Sequence, residues 1–261
     1  MRQREPFPQR LKAGEFLGGI FCCSYGLQNA EVIAGSGFDF VLFDHEHTPW
    51  SLPDFHAQLM AMQASRTGAV VRMTGVDPAA VKWLLDLGVD GLMIPNVNSL
   101  EDAQRAVAAC RYPPQGRRGV GGSVRGTRYG RSPLSAAESV SRFSLIAQIE
   151  SREGLAELDA IARLEGIDAI FFGPNDLAAD MGHFAQPNHP DVVQAILDGF
   201  GVVSAAGKAI GVLAAGEALA RYVEAGATLC AAGSDLGLLV KAADGLASTL
   251  KTLSDARLSH A

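Results

Sequence analysis

The 261-residue chain contains no apolar run near the ~20 residues that a membrane-spanning helix needs. Nor does it carry an excess of positive charge. The formal net charge is −6, which argues against a nucleic-acid partner, since such partners call for a basic face. Neither a GxGxxG fingerprint nor a P-loop occurs, so nothing points to a nucleotide-binding open sheet. Cysteine is scarce: Cys22, Cys23, Cys110 and Cys230 include no CxxC pair. They read as small apolar residues of a protein in a reducing cytosol, not as a disulfide framework. The N-terminal stretch Met1–Gln9 is polar and charged, unlike a signal peptide. Lysine is scarce too. None of Lys12, Lys82, Lys208, Lys241 and Lys251 falls at the C-terminal end of an apolar run. Imine chemistry needs a desolvated lysine at such a place, so any carbonyl chemistry here calls for an electrophilic metal instead.

What the chain does have is alternation. Short apolar runs at Phe16–Cys23, Phe38–Asp44, Ala69–Met73, Gly91–Val97, Ser144–Glu150, Ile167–Gly173, Ala209–Ala214 and Thr228–Gly233 read as strands buried on both faces. Amphipathic stretches lie between them, for example Pro78–Leu87, Ser99–Ala109, Arg152–Leu164, Pro190–Ala206 and Gly216–Glu224. Several end in glycine, the residue suited to a left-handed helix cap. Eight strands alternating with helices fit a closed eightfold barrel or an open doubly wound sheet. With no nucleotide motif, the expectation is an α/β fold, one (β/α)8 TIM barrel across residues 1–261. About 250 residues is the usual size of such a barrel.

Chemistry in such a barrel belongs at the C-terminal ends of the strands. Strand two ends in Asp44-His45-Glu46-His47, strand three at Arg72, strand five in Gln148-Ile149-Glu150, and strand six runs into Gly173-Pro174-Asn175-Asp176. Glu150 and Asp176 lie one strand-plus-helix unit apart and become neighbours on the rim. Two carboxylates without a thiolate suit a hard cation such as Mg²⁺, Mn²⁺ or Co²⁺. A general acid/base pair, or an N-cap role for Asp176, fits the same spacing. In an extended segment, Asp44 and Glu46 share one face and His45 and His47 the other. The cluster therefore reads as a His₂ metal site, as a base (His47) oriented by Asp44, or as groups satisfying backbone at the strand end. Arg72 closes an otherwise apolar strand, so it needs an anionic partner: a substrate oxygen or a barrel acid. Between Arg111 and Arg131 stand six arginines, six glycines and two prolines, a long loop. Arg117, Arg118 or Arg125 could grip a carboxylate there, or the loop serves an interface.

Five stretches carry a resemblance. They are Gly37-Phe-Asp-Phe-Val-Leu-Phe-Asp-His-Glu-His-Thr-Pro49, Val70-Val-Arg72, Arg111-Tyr-Pro-Pro-Gln-Gly-Arg-Arg-Gly-Val-Gly121, Ala147-Gln-Ile-Glu-Ser-Arg-Glu153 and Phe172-Gly-Pro-Asn-Asp-Leu-Ala-Ala-Asp-Met-Gly182. In that order they resemble the HpcH/HpaI aldolases, the metal-dependent pyruvate aldolases. The resemblance implies a carbon–carbon lyase that adds the enolate of pyruvate or hydroxypyruvate to an aldehyde, with a divalent cation and no organic cofactor. It implies Glu150 and Asp176 as metal ligands, Arg72 as stabiliser of the enolate oxygen, and His47 as general base with Asp44 nearby. Gln148, Gly173, Asn175 and Asp176 are implied to hold the 2-oxo acid, the amides at 175 and 176 receiving its carboxylate. Asp86 resembles an acid that reaches the site across a subunit contact. The resemblance also implies a cytoplasmic homohexamer, a trimer of dimers with an exchanged last helix. It implies small-molecule partners, with neither nucleic acid nor membrane. His45 stands where relatives often have a small residue. The alternatives are a CoA-ester lyase of the same superfamily and a non-catalytic ligand-binding barrel.

Overall fold

A computed structural model describes residues 5–132 and 135–258, so the first four residues of the polar N-terminal stretch lie outside it. Eight parallel strands close into one barrel in sequence order: β1 (Leu17–Cys22), β2 (Phe40–Asp44), β3 (Gly68–Arg72), β4 (Gly91–Ile94), β5 (Ser144–Ile149), β6 (Ala169–Phe172), β7 (Ala209–Leu213) and β8 (Leu229–Ser234). All eight expected strands are present. β4 stops at Ile94 rather than Val97, because Pro95 has no N–H to continue the ladder and Asn96 turns left-handed at φ 54°. The stretch expected as one helix, Arg152–Leu164, is two, Arg152–Ala156 and Leu158–Arg163, hinged at Glu157.

Strand residues alternate between two cores. Phe40, Leu42, Val70, Met93, Ile146, Ala169, Phe171, Leu229 and Ala231 fill the barrel interior. Val41, Phe43, Val71, Leu92, Leu145, Ile170, Phe172 and Val212 pack outward against the helices. A short helix, Phe7–Lys12, stops the N-terminal mouth with Phe7 and Leu11. This alternation sets the site: continuing the inward series in steps of two brings Asp44, Arg72, Gln148 and then Glu150 to the C-terminal mouth.

The N-terminal rim repeats a device. Gly37-Phe38-Asp39, Gly88-Val89-Asp90 and Gly166-Ile167-Asp168 precede β2, β4 and β6, with the glycines at φ 92°, 82° and 107°. Each Asp accepts an amide from the strand before: Gly18 N–H at 2.9 Å, Ala69 N–H at 2.8 Å and Leu145 N–H at 2.9 Å.

The last helix, Asp235–Leu258, departs from the barrel. Buried Asp235 pins its first turn by accepting the Cys23 N–H at 2.8 Å and the Asn29 amide at 2.6 Å. Beyond it, Leu238, Leu239, Val240, Leu246, Leu250 and Leu253 are exposed. All four cysteines are free. Among the described residues no helix is long and apolar enough to cross a membrane.

Candidate active site

Asp44 and Arg72 are register partners on β2 and β3, and both are buried. Arg72 Nε donates to Asp44 Oδ1 at 2.9 Å and Nη2 to Oδ2 at 2.8 Å. This is the planar fork-on-carboxylate geometry that only arginine provides. Burial pushes the Asp44 carboxyl up. The Arg72 guanidinium and the amides of Glu46 and His47 outweigh that and hold it below its ordinary value. Arg72 Nη1 also lies 3.0 Å from Glu46 Oε2. The guanidinium edge is thus fixed by two acids, and its Cζ lies over the Phe21 ring, 5.0 Å from the ring centre.

From Glu46 the contacts continue round the mouth. Asn96 Nδ2 donates to Glu46 Oε1 at 3.2 Å, and the Asn96 N–H to Glu150 Oε1 at 2.9 Å. Gln148 Nε2 donates to the other oxygen of Glu150, while Gln148 Oε1 is buried with no partner. Gly173, at the turn into the helix Pro174–Asp180, closes the arrangement. A Cβ there would stand 2.5 Å from Glu150 Oε2 and 3.0 Å from Gln148 Nε2. Only glycine lets that backbone pass so close to the two side chains. Asp176 sits in the first turn of that helix, exposed. Its charge reaches both Glu46 and Glu150, raising each carboxyl. Burial is the main cause at Glu150, whose pKa is pushed up to about 7. The Asn96 N–H opposes the rise, and Glu46 and Asp176 add to it.

Three carboxylates that raise one another's pKa at the wet end of a barrel are unfavourable without a cation to share. The donor set is all oxygen, burial and neighbouring acids raise the Glu150 carboxyl, one buried amide oxygen is unpartnered, and the backbone is thinned to glycine beside it. These residues fit a hard divalent cation. Among the described residues no lysine competes for the role: Lys12 pairs with Asp168 and Lys208 donates to the Ile167 carbonyl at the opposite rim, while Lys82, Lys241 and Lys251 lie on the outer helices.

The mouth thus gathers Asp44, Arg72, Gln148, Glu150, Gly173 and Asp176. Asp44 and Glu46 do share a face, since both bind Arg72. The His₂ reading is corrected. His45 points outward, stacked on Trp50 at 4.1 Å and edge-on to Phe55 at 4.9 Å. Burial lowers its pKa to about 4. His47 is exposed on the rim, with Nε2 3.8 Å from Glu46. Asp44 meets it through the His47 backbone N–H at 3.4 Å, not through the ring.

Asp86 lies at the far end of the helix Pro78–Leu87, beside the opposite rim, where Arg118 binds it at 2.8 Å. The Arg-rich loop lies at that rim as well, because it joins the end of the helix Leu100–Cys110 to the start of β5. Arg118 is buried against Asp86 and Tyr112. Arg125 donates to the Leu87 carbonyl at 2.7 Å. Neither can grip an acceptor at this chain's own mouth. Arg117 is exposed. Two site residues had no assigned role in the sequence reading: Glu46, whose signal was its two-residue spacing from Asp44, and Asn96, which follows a proline at a strand end.

A second polar cluster, His183, His189 and Asp191, brings ligand atoms within 4.8 Å of one another. The imidazole rings are stacked, with centroids 3.5 Å apart and planes at 13°. One ion cannot lie in both ring planes, and His189 Nδ1 is already capping the Asp191 N–H. This cluster reads as a helix cap.

Residues 18–242 match the model of the HpcH/HpaI aldolase/citrate lyase family. The chain is 43% identical over 247 residues to a pyruvate aldolase of Rhizobium etli, covering 94% of this chain and 97% of the relative. It is 43% identical over 250 residues to a 5-keto-4-deoxy-D-glucarate aldolase of Escherichia coli, covering 94% and 98%. Among solved structures, an HpcH/HpaI aldolase/citrate lyase family protein from Burkholderia cenocepacia superposes with a TM-score of 0.88 at 34% identity, over 94% of this chain and 98% of the other.

Proposed function

This chain belongs to the HpcH/HpaI aldolase/citrate lyase family, and from that premise we propose a divalent-metal-dependent aldolase that adds the enolate of pyruvate or hydroxypyruvate to an aldehyde. The observation that carries this reading is the convergence of Glu150, Asp176 and Glu46 beside the Asp44–Arg72 pair at the C-terminal rim.

Glu150 and Asp176 would hold the cation, which supplies Lewis acidity to the keto oxygen of a 2-oxo acid when bound. Arg72 uses two of its five N–H groups in hydrogen bonds to Asp44 and pairs with Glu46 through its charge. The others remain for the oxygen on which enolate charge develops, and the two acids spare the guanidinium any reorganisation at that moment. The first-turn amides of Asn175 and Asp176 have no acceptor within their helix and receive the carboxylate of the 2-oxo acid. Gln148, fixed by Glu150, offers its second amide hydrogen to the same substrate. His47, in reach of solvent, moves the methyl proton through a water.

The exposed leucines of the last helix support an exchange of that helix between two copies and a homohexameric assembly, in which Asp86 would serve a neighbour's mouth. The unpaired cysteines suit the cytosol.

The test is a panel of 2-oxo acids and aldehydes supplied to protein stripped with EDTA and then reloaded with Mg²⁺, Mn²⁺ or Co²⁺. Product is expected only after reloading. Full activity after verified stripping would overturn the reading, and turnover restricted to acyl-CoA would replace it with the lyase alternative.

A further inference from the structure

We propose that Asn96 is a positioning residue of this mouth, with its backbone aiming Glu150 and its side chain holding Glu46. The inference rests on the reading that Glu150 and Asp176 share a cation. Three observations converge on it. Pro95 ends β4 and the chain turns at once, with Asn96 at φ 54°. That left-handed conformation is costly for most residues and less so for asparagine. The turn directs the Asn96 N–H to Glu150 Oε1 at 2.9 Å, while the same residue's Nδ2 reaches Glu46 Oε1 at 3.2 Å. One residue therefore ties together two acids whose charges oppose each other. The hydrogen bonds go to Oε1 of each, leaving Glu46 Oε2 to Arg72 and Glu150 Oε2 to Gln148 and the space beside Gly173. Asn96 is exposed, so replacing it disturbs no packed core.

Backbone and side chain can be separated. Asn96→Gly keeps the left-handed turn, and with it the N–H on Glu150, but loses the link to Glu46. Asn96→Val disfavours the turn through its branched Cβ and loses both. The readout is the dissociation constant for Mn²⁺ on chelator-stripped full-length protein, from the electron paramagnetic resonance signal of free Mn²⁺. Groups that orient a metal's ligands typically change affinity about 10–100-fold. We expect Asn96→Val to weaken Mn²⁺ binding about 10-fold or more, and Asn96→Gly to stay within about 3-fold of wild type, on the same scale. The side-chain arm is read by a double-mutant cycle. Glu46→Gln should lower kcat at least about 5-fold more in wild type than in the Asn96→Gly background.

Equal Mn²⁺ affinity in wild type, Asn96→Val and Asn96→Gly would overturn the inference and leave the parent reading intact. So would equal losses in both variants, or effects that simply multiply in the cycle. Failure of the wild-type protein itself to bind Mn²⁺ would overturn the parent reading, and the inference with it.

Discussion

At the N-terminal rim, Asp39, Asp90 and Asp168 each meet a strand amide and are held there. At the C-terminal rim, Asp44, Glu46, Glu150 and Asp176 face an arginine and one another. Both rims contain a carboxyl raised by burial, Asp90 to about 6 and Glu150 to about 7. A raised pKa therefore does not by itself mark the working end. What differs is the company. The charged groups noted at Asp90 reduce to Arg125, which opposes the rise, whereas two further acids add to it at Glu150. Acids at one end close the barrel. At the other they raise one another's carboxyl pKa beside Arg72, which suits the cation and 2-oxo acid proposed for that rim.

The comparison breaks most visibly if the C-terminal acids prove to be structural. Asp176→Asn or Glu150→Gln is expected to lower kcat/KM by about a thousandfold or more, the scale of lost metal assistance. The metal-free Tm should stay level or rise, because a repulsive carboxylate is gone. A large fall in Tm with activity retained would reverse the assignment. Arg72→Lys comes next. It keeps the charge and loses the fork, and kcat/KM should fall about 100-fold; steady-state kinetics with pyruvate decides this.

The N-terminal rim should behave in the opposite manner. Asp39 accepts the Gly18 N–H and also pairs with buried Arg10 at 2.9 Å. Asp39→Ala should cost about 2–3 kcal/mol, a Tm decrease of roughly 5–10 °C. Its kcat/KM should stay within about twofold of wild type, as expected of a residue on a barrel's stability face. Thermal melts and kinetics on one preparation read both.

The smallest effect sharpens the boundary of the site. His45 has a folded pKa near 4 against an ordinary 6.5. Between those values the unfolded chain takes up a proton that the folded chain refuses, so stability falls as pH falls. The loss from this group should be about 2 kcal/mol between pH 7 and 5. His45→Phe, which keeps a ring against Trp50, should flatten the pH dependence of denaturant unfolding by that amount. Identical slopes for both proteins would contradict the outward, neutral placement.

Much of this contrast was legible in the residues. The eight strands were visible as apolar runs because parallel strands are buried on both faces. Arg72 stood out because a charge at the end of Gly68-Ala69-Val70-Val71 has no apolar reason to be there. The inward series Phe40, Leu42, Asp44 places the acids correctly, and it equally turns His45 outward, against the His₂ reading. The break at Glu157 was hidden, since an amphipathic pattern continues across it. So was the left-handed turn at Asn96, because nothing in Pro95-Asn96-Val97 reveals where an amide will point. The rim occupied by the Arg-rich loop follows from topology: a segment from helix to strand belongs at the N-terminal rim, whatever its composition.

The central claim is that this mouth makes the enolate of a 2-oxo acid with the help of a divalent ion. Deuterium entering the methyl group of pyruvate in D₂O, followed by mass spectrometry with no aldehyde present, tests it most directly. The account predicts enzyme-dependent exchange that vanishes on chelation, returns with Mg²⁺, Mn²⁺ or Co²⁺, and is lost in Glu150→Gln. Exchange that survives verified metal removal, or that never occurs with any of the three ions, would contradict it.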